Sequence, residues 1–180
     1  MPFALSTPRL HLRRLRASDL DALCAVFGDP EVMRFVGSRR LAMSRDEVRD
    51  MLDIVAAHWR AHGFGPLAVV ERAADALVGE CGLQLLEGGP DVELTYTLAR
   101  DAWGRGYATE AAVAVLDWGF GDLGLERIVG VAYPENAASQ RVLEKSGLLR
   151  VGVRRCYGAE LAEFVLSRPR THADPGRRPS

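Results

Sequence analysis

The chain has 180 residues, 48% of them apolar and 26% charged, with a formal net charge of −1. That length suits one domain with a real core, and so balanced a charge argues against a nucleic acid or an acidic membrane as partner. No apolar run is long enough to span a bilayer, no basic-then-apolar leader opens the chain, and three scattered cysteines (Cys24, Cys81, Cys156) without a Cys-x-x-Cys pair read as reduced core residues of a cytoplasmic protein.

Residues 9–15 alternate Leu10 and Leu12 before slipping to Leu15, and read as an edge strand. Ala17-Ser18-Asp19-Leu20-Asp21 opens a helix, with Ser18 as its cap, acidic residues in its first turn, and Leu20, Leu23, Cys24 and Phe27 as its buried stripe. Gly28-Asp29-Pro30 ends it; a short helical turn follows over 31–36, and 37–43 is loop. Ser44-x-x-Glu47 is a capping box ahead of Val48, Met51, Leu52, Val55 and Trp59 on one face, a helix that should stop near His62-Gly63. Arg34, Arg39, Arg40 and Arg45 read as solvated surface, with contact to an acidic substrate as the alternative. Strands at 66–71 and 77–86 are joined by a polar hairpin around Ala74-Asp75, and Gly79 and Gly82 predict a bulge or a close backbone approach. A turn at 87–91 leads to a strand over 92–98. Its alternation puts Val92, Leu94, Tyr96 and Leu98 on one face and Glu93, Thr95 and Thr97 on the other.

Trp103-Gly104-Arg105-Gly106-Tyr107-Ala108-Thr109 joins that strand to a helix over 110–120, which carries Ala111, Ala112, Val115, Leu116 and Gly119 at helical spacing. Two glycines and a small alanine let the backbone turn sharply and come close to a ligand. The first N–H groups of the helix lack partners within it and sit at the positive end of its dipole. They suit a phosphate or pyrophosphate, with Arg105 able to add charge. A tight turn alone would explain the glycines equally well. Two nucleotide motifs fail on the letters. A P-loop needs Lys and then Ser or Thr where Tyr107-Ala108 stand. A dinucleotide fingerprint needs Gly or Ala at Thr109, and its acidic partner could only be Glu126, which opens a strand instead of closing one. After a break at 121–124, residues 127–133 read as a buried strand and 136–145 as a helix stopped by Gly147. Residues 148–156 and 161–166 form a closing hairpin through Tyr157-Gly158. From Arg168 on, Pro, Arg and Gly dominate, so 1–167 is taken as a single domain and 168–180 as a disordered tail.

Trp103 to Ala111, written Trp-Gly-x-Gly-Tyr-Ala-x-Glu-Ala after a strand, resembles the acetyl-coenzyme A loop of the GNAT N-acetyltransferase superfamily. Within it, the motif is most similar to the RimJ/RimL branch, which acetylates ribosomal-protein N-termini. Asn136-x-x-Ser139-x-x-x-Leu143-Glu144-Lys145-x-Gly147 and Thr7-Pro8-Arg9-Leu10-x-Leu12-Arg13 match as well, so the resemblance covers nearly the whole chain. It implies an α/β fold: a mixed, mostly antiparallel central sheet splayed at its middle, with helices on both faces. It implies acetyl-coenzyme A as co-substrate, no metal, and transfer to a primary amine by direct attack in a ternary complex. The backbone of Gly104, Arg105, Gly106, Tyr107, Ala108 and Thr109 would hold the pyrophosphate, and that of Thr97 and Leu98 the pantetheine arm. Arg105 is as consistent with solvation as with phosphate contact, Trp103 with packing under the loop, and Glu110 with capping its helix. The two N-terminal helices and their loop would form one wall of the acceptor cleft.

A lysine-like amine, with a pKa of about 10.4, needs a base at neutral pH, whereas an α-amine, near ~8, asks much less. By resemblance Glu93 is the first candidate base, with a rim carboxylate as its structural alternative; Glu80 is second and Glu160 third. Many relatives place a tyrosine, as general acid, where Leu143 stands, and leucine has no proton to give. Ser139 is then the candidate to hydrogen-bond the thiolate, or else a hydroxyl that only touches the coenzyme. Asn136 is expected to cap its helix and orient the coenzyme, leaving proximity of the reactants as the main source of rate. The expected acceptor is a protein N-terminal α-amine, ribosomal or other. The alternatives are a polyamine, an aminoglycoside, or no acceptor at all in a non-catalytic acyl-coenzyme A-binding module. Neither nucleic acid nor membrane is expected as a partner, and the chain is expected to be a monomer or homodimer.

Overall fold

The strands are β1 (Ala4–Ser6), β2 (Leu10–Arg14), β3 (Pro66–Glu71), β4 (Ala76–Leu85), β5 (Val92–Leu98), β6 (Arg127–Ala132), β7 (Leu149–Cys156) and β8 (Ala159–Ser167), all but β1 where the sequence predicts strand. The helical periods become α1 (Leu20–Phe27), α2 (Pro30–Met33), α3 (Arg45–His62), α4 (Tyr107–Gly121) and α5 (Ala137–Lys145). The structure, a computed structural model, describes residues 3–168. The tail expected over 168–180 lies, apart from Arg168, outside the described residues.

The strands form one sheet in the order β1-β2-β3-β4-β5-β6-β8-β7, antiparallel except where β5 meets β6. β4 and β5 pair continuously from Gly79–Leu98 to Leu85–Val92, and β6 and β8 from Arg127–Ser167 to Ala132–Ala162. Between these two blocks, β5 and β6 pair only at Glu93–Val129. The expected splay is therefore a seam beginning one residue into β5.

Strand alternation then assigns the cores. Leu94 and Leu98 join Leu10, Leu12 and Leu83 under Ala111, Ala112, Val115 and Leu116 of α4. Each buried Leu or Val there contributes about 1.5–3 kcal/mol relative to exposure. α1, α2 and α3 bury Leu23, Val26, Val32 and Val48 in a second cluster against Leu77 and Ala99. A third, around Leu86, Val129, Tyr133, Cys156 and Leu161, takes in Phe35 and Tyr157 at its margin. Among the described residues no helix is long and apolar enough to cross a membrane.

Several local expectations hold for the stated reason. The capping box at α3 is formed, Ser44 N–H donating to Glu47 Oε2 at 2.7 Å and Glu47 N–H to Ser44 Oγ at 3.3 Å, and Gly63 ends the helix at φ +75°. A Cβ at Gly79 would stand 2.2 Å from the Thr97 carbonyl oxygen, and one at Gly82 2.5 Å from that of Gly65, so both mark close backbone approach.

Three expectations change. β2 is not an edge strand: β1 covers it, a three-residue strand too short to show an alternation. Ser18 does not cap α1. A 3-10 turn over Ala17–Asp19 comes first, and the buried Asp19 accepts from Arg16 N–H and from both Nη atoms of Arg13, each at 2.8 Å. α4 begins at Tyr107, three residues early, because Gly106 at φ +80° can turn the chain directly into the helix.

Candidate functional site

Gly104 and Gly106 both hold the left-handed conformation, at φ +72° and +80°, which a side chain would oppose. Nothing lies within 4 Å of where a Cβ at Gly104 would stand, so the turn is open on its outer side. Gly106 begins α4 without any side-chain cap, which leaves the first-turn N–H groups, through Thr109, without intrahelical acceptors. These uncapped donors and the open turn fit a pyrophosphate. A groove of about 620 Å³ beside them is lined by residues including Thr7, Gly106, Thr109, Val113 and Lys145.

The N-terminal motif braces this loop. Thr7 Oγ1 and Arg9 N–H donate to Glu110 Oε1 at 2.6 and 2.9 Å, Arg9 Nε donates to Glu110 Oε2 at 2.7 Å, and Arg9 Nη1 donates to the Arg105 carbonyl at 2.8 Å. Across the loop, Arg105 Nη2 and Tyr107 Oη both donate to Glu71 Oε1. Glu110 thus ties α4 to the β1–β2 turn instead of capping its own helix, and Arg105 is committed to Glu71. Trp103, expected beneath the loop, is 49% exposed and is held by donating Nε1–H to the Leu98 carbonyl at 2.9 Å.

Ala99 N–H donates to the Val78 carbonyl across the β4–β5 ladder. Because backbone groups alternate sides along a strand, Thr95 and Thr97 also turn theirs toward β4, while Leu94, Tyr96 and Leu98 turn theirs toward the seam. The backbone of Thr97 is therefore spent on Glu80, its ladder partner. Leu98 has given its carbonyl to Trp103, and Tyr96 takes the place expected of Thr97 on the open edge.

The opposite, polar face of β4 and β5 carries two buried carboxylates. Glu93 is 5% exposed, not a rim group. Its Oε2 accepts from Tyr157 Oη at 2.5 Å and from Gln84 Nε2 at 3.2 Å. Burial raises its pKa above the ordinary carboxylate value, with the Tyr157 and Gln84 hydrogen bonds opposing. Glu80 is 6% exposed, and its Oε2 is buried without a hydrogen-bond partner. Burial pushes its pKa up to about 7, opposed by the Thr97 hydroxyl and reinforced by the charge of Glu93. Glu160 is exposed on β8 opposite Arg155, apart from this floor.

Asn136 caps α5 as expected, Oδ1 accepting Ser139 N–H at 3.1 Å. Ser139 is half-buried, and Tyr96 Oη lies 2.8 Å from its Oγ. Leu143 is buried in the main core, its Cδ2 2.5 Å from where a Cβ on Gly130 would stand. On the α1–α3 side, Arg39 pairs with Glu47 and Arg45 with Asp21. Arg34 and Arg40 instead stand 5.1 and 5.2 Å from the Phe35 ring, with Arg40 also 4.4 Å over Tyr133. Sequence reading missed Tyr96, Gln84 and Tyr157 as site residues. Only the register pairing Gln84 with Glu93 and Tyr96 with Cys81 would have pointed to the first two, and the Tyr157 contact spans 64 positions.

Residues 9–149 match the family described as Acetyltransferase (GNAT) domain. The uncharacterized N-acetyltransferase p20 of Bacillus licheniformis is 33% identical over 158 residues, covering 85% of this chain and 86% of that protein. Among solved structures, the acetyltransferase from Agrobacterium tumefaciens str. C58 superimposes with a TM-score of 0.80 at 27% identity, over 93% and 96% of the two chains. Mycobacterium smegmatis RimJ in complex with CoA-disulfide gives 0.77 at 20% identity, over 92% and 88%.

Proposed function

The chain belongs to the GNAT acetyltransferase family, and from that premise we propose that it moves the acetyl group of acetyl-coenzyme A to a protein N-terminal α-amine, by direct attack while both substrates are bound. The observation that carries this reading is the meeting, along β5, of an uncapped glycine turn, an open backbone edge and a floor of buried carboxylates. The likeness of fold to RimJ and the three sequence motifs support the choice of acceptor.

When bound, acetyl-coenzyme A supplies the activated thioester. The protein's share is to hold and orient it: N–H groups from Gly104 to Thr109 on the pyrophosphate, and the seam edge at Tyr96 and Leu98 along the pantetheine arm. Asn136 fixes the first turn of α5, and Ser139 on that turn is the hydroxyl assigned to the leaving sulfur. Glu93 takes the proton from the attacking amine, with Glu80 as the second carboxylate of the floor. An α-amine titrates near ~8, and carboxylates raised by burial lie closer to that value than exposed ones, which narrows the uphill proton transfer. Arg34 and Arg40 face the acceptor across Phe35 and Tyr133. The enzyme works in the cytoplasm, as a monomer or homodimer, without a metal.

The test is release of coenzyme A thiol from acetyl-coenzyme A against N-terminal peptides with blocked lysines, polyamines and aminoglycosides. Turnover with the blocked peptides is the expected result. Turnover with small amines alone would overturn the acceptor, and coenzyme binding with silence across the panel would favour a binding module.

A further inference from the structure

Tyr96 and Ser139 are separated by 43 positions and brought together across the seam. Tyr96 leaves β5 on the α4 face, and its ring packs at the margin of the main core. Its hydroxyl reaches the first turn of α5, 3.0 Å from the Ser139 carbonyl oxygen, to which it can donate, and 2.8 Å from Ser139 Oγ. A single phenolic proton thus has two acceptors. When it points at the carbonyl, Ser139 donates its own hydrogen to the phenol oxygen. When it points at Oγ, the Ser139 hydrogen is released toward the seam. The exchange needs only two hydroxyl rotations, with no heavy atom moving.

The same helix offers no other hydroxyl for this purpose, since Leu143 closes its position with hydrocarbon packed into the core. We propose that Tyr96 is a positioning residue for the leaving group: it donates to Ser139 Oγ and so aims the Ser139 O–H at the sulfur of the bound coenzyme. This rests on the reading that Ser139 faces the thioester sulfur.

The chemistry balances without proton transfer from either hydroxyl. The amine lone pair forms the C–N bond, the C–S pair goes to sulfur, and the surplus amine proton goes to the floor carboxylate. The thiolate departs with a hydrogen bond from Ser139. A thiol titrating near ~8.5 is stable enough as its anion to be protonated by solvent after release. Burial holds the Tyr96 phenol well above its ordinary value, with the bond to Ser139 opposing, so it keeps its proton throughout the assay range and serves as a fixed donor.

The experiment compares the full-length protein with Tyr96→Phe, Ser139→Ala and the double variant. It reads both turnover and the pH dependence of binding of coenzyme A itself, which carries the free thiol. In the wild type the Ser139 bond should favour bound thiolate and lower the thiol pKa on the enzyme. Tyr96→Phe should raise that pKa back by about one unit, a tenfold change. It should also lower kcat roughly tenfold, leave the KM for acetyl-coenzyme A within about twofold, and add nothing on the Ser139→Ala background. Thiolate preference lost in Ser139→Ala but retained in Tyr96→Phe, or multiplying losses in the double variant, would overturn the role of Tyr96 alone. Absence of any thiolate preference in the wild type would instead overturn the placement of Ser139, and this proposal with it.

Discussion

The glycine loop and the polar face of β4 and β5 each draw in two glutamates, and the protein treats them in opposite ways. Glu71 and Glu110 sit at the loop among Arg9, Arg105, Thr7 and Tyr107. Hydrogen bonds from Tyr107 and Arg105 lower the pKa of Glu71. At Glu110 burial acts upward, but the bonds from Thr7 and Arg9 outweigh it. Glu80 and Glu93 lie in the floor with neutral hydrogen-bond partners or none, and burial raises both. Carboxylates matched with arginine keep their charge and serve as rigid ties. Carboxylates buried without an arginine hydrogen bond are raised above the ordinary carboxylate value, the direction acid–base chemistry requires. Chain position does not separate the two pairs: Glu71 and Glu80 belong to neighbouring strands.

The comparison can be broken most severely at the loop. Gly106→Val imposes a left-handed conformation on a β-branched residue, costing about 1–2 kcal/mol of stability, and it disturbs the first donors of α4. Coenzyme A binding, followed by calorimetry, should weaken roughly 1,000-fold, about 4.1 kcal/mol, while the circular dichroism spectrum stays native. Unchanged affinity would remove the loop from the site.

In the floor, the folded pKa of Glu80 is raised from 4.5 to about 7, so between those values the native state binds more protons than the unfolded one. Its contribution is fully present below pH 4.5 and is lost as pH rises to 7, about 3 kcal/mol in all. Denaturant unfolding across that window should show this loss in the wild type and a flatter dependence in Glu80→Gln. Parallel curves would mean that Glu80 finds a counter-charge.

Glu93→Gln should reduce kcat/KM at neutral pH by about 100-fold, the lower range for a general base, and remove the acidic limb of the pH–rate profile. A larger loss in Glu80→Gln would exchange the roles of the two floor carboxylates. The mildest probe is Tyr157→Phe, which deletes one hydrogen bond to Glu93 Oε2. Stability should fall by about 1 kcal/mol, and the acidic limb should move to higher pH, because that bond favours the charged form. A limb that stays in place would separate Glu93 from the titration.

Much of this was legible in the letters, for identifiable reasons. The Ser44 box, the Gly63 stop, the close approaches at Gly79 and Gly82 and the face assignment of β5 follow from local sterics and strand period. Asn136 was legible as a cap because the N–H it accepts from lies three residues away. The fates of Arg105, Glu110 and Trp103 were not. Solvation or phosphate contact for Arg105, a cap for Glu110 and packing under the loop for Trp103 all fit the letters, and the partners they take instead are set by the fold.

Sequence by itself thus determined most of the elements, though not β1 or the start of α4, together with the glycine turn and the family, because these depend on periods of two or 3.6 residues and on motifs contiguous in the chain. Only the tertiary structure decided that β5 and β6 part after Glu93, that Tyr96 rather than Thr97 faces the gap, and that Thr7 and Arg9 grip Glu110. Those outcomes depend on register and on contacts spanning scores of residues. A one-residue change of register reverses the face a side chain takes, and no local pattern records it.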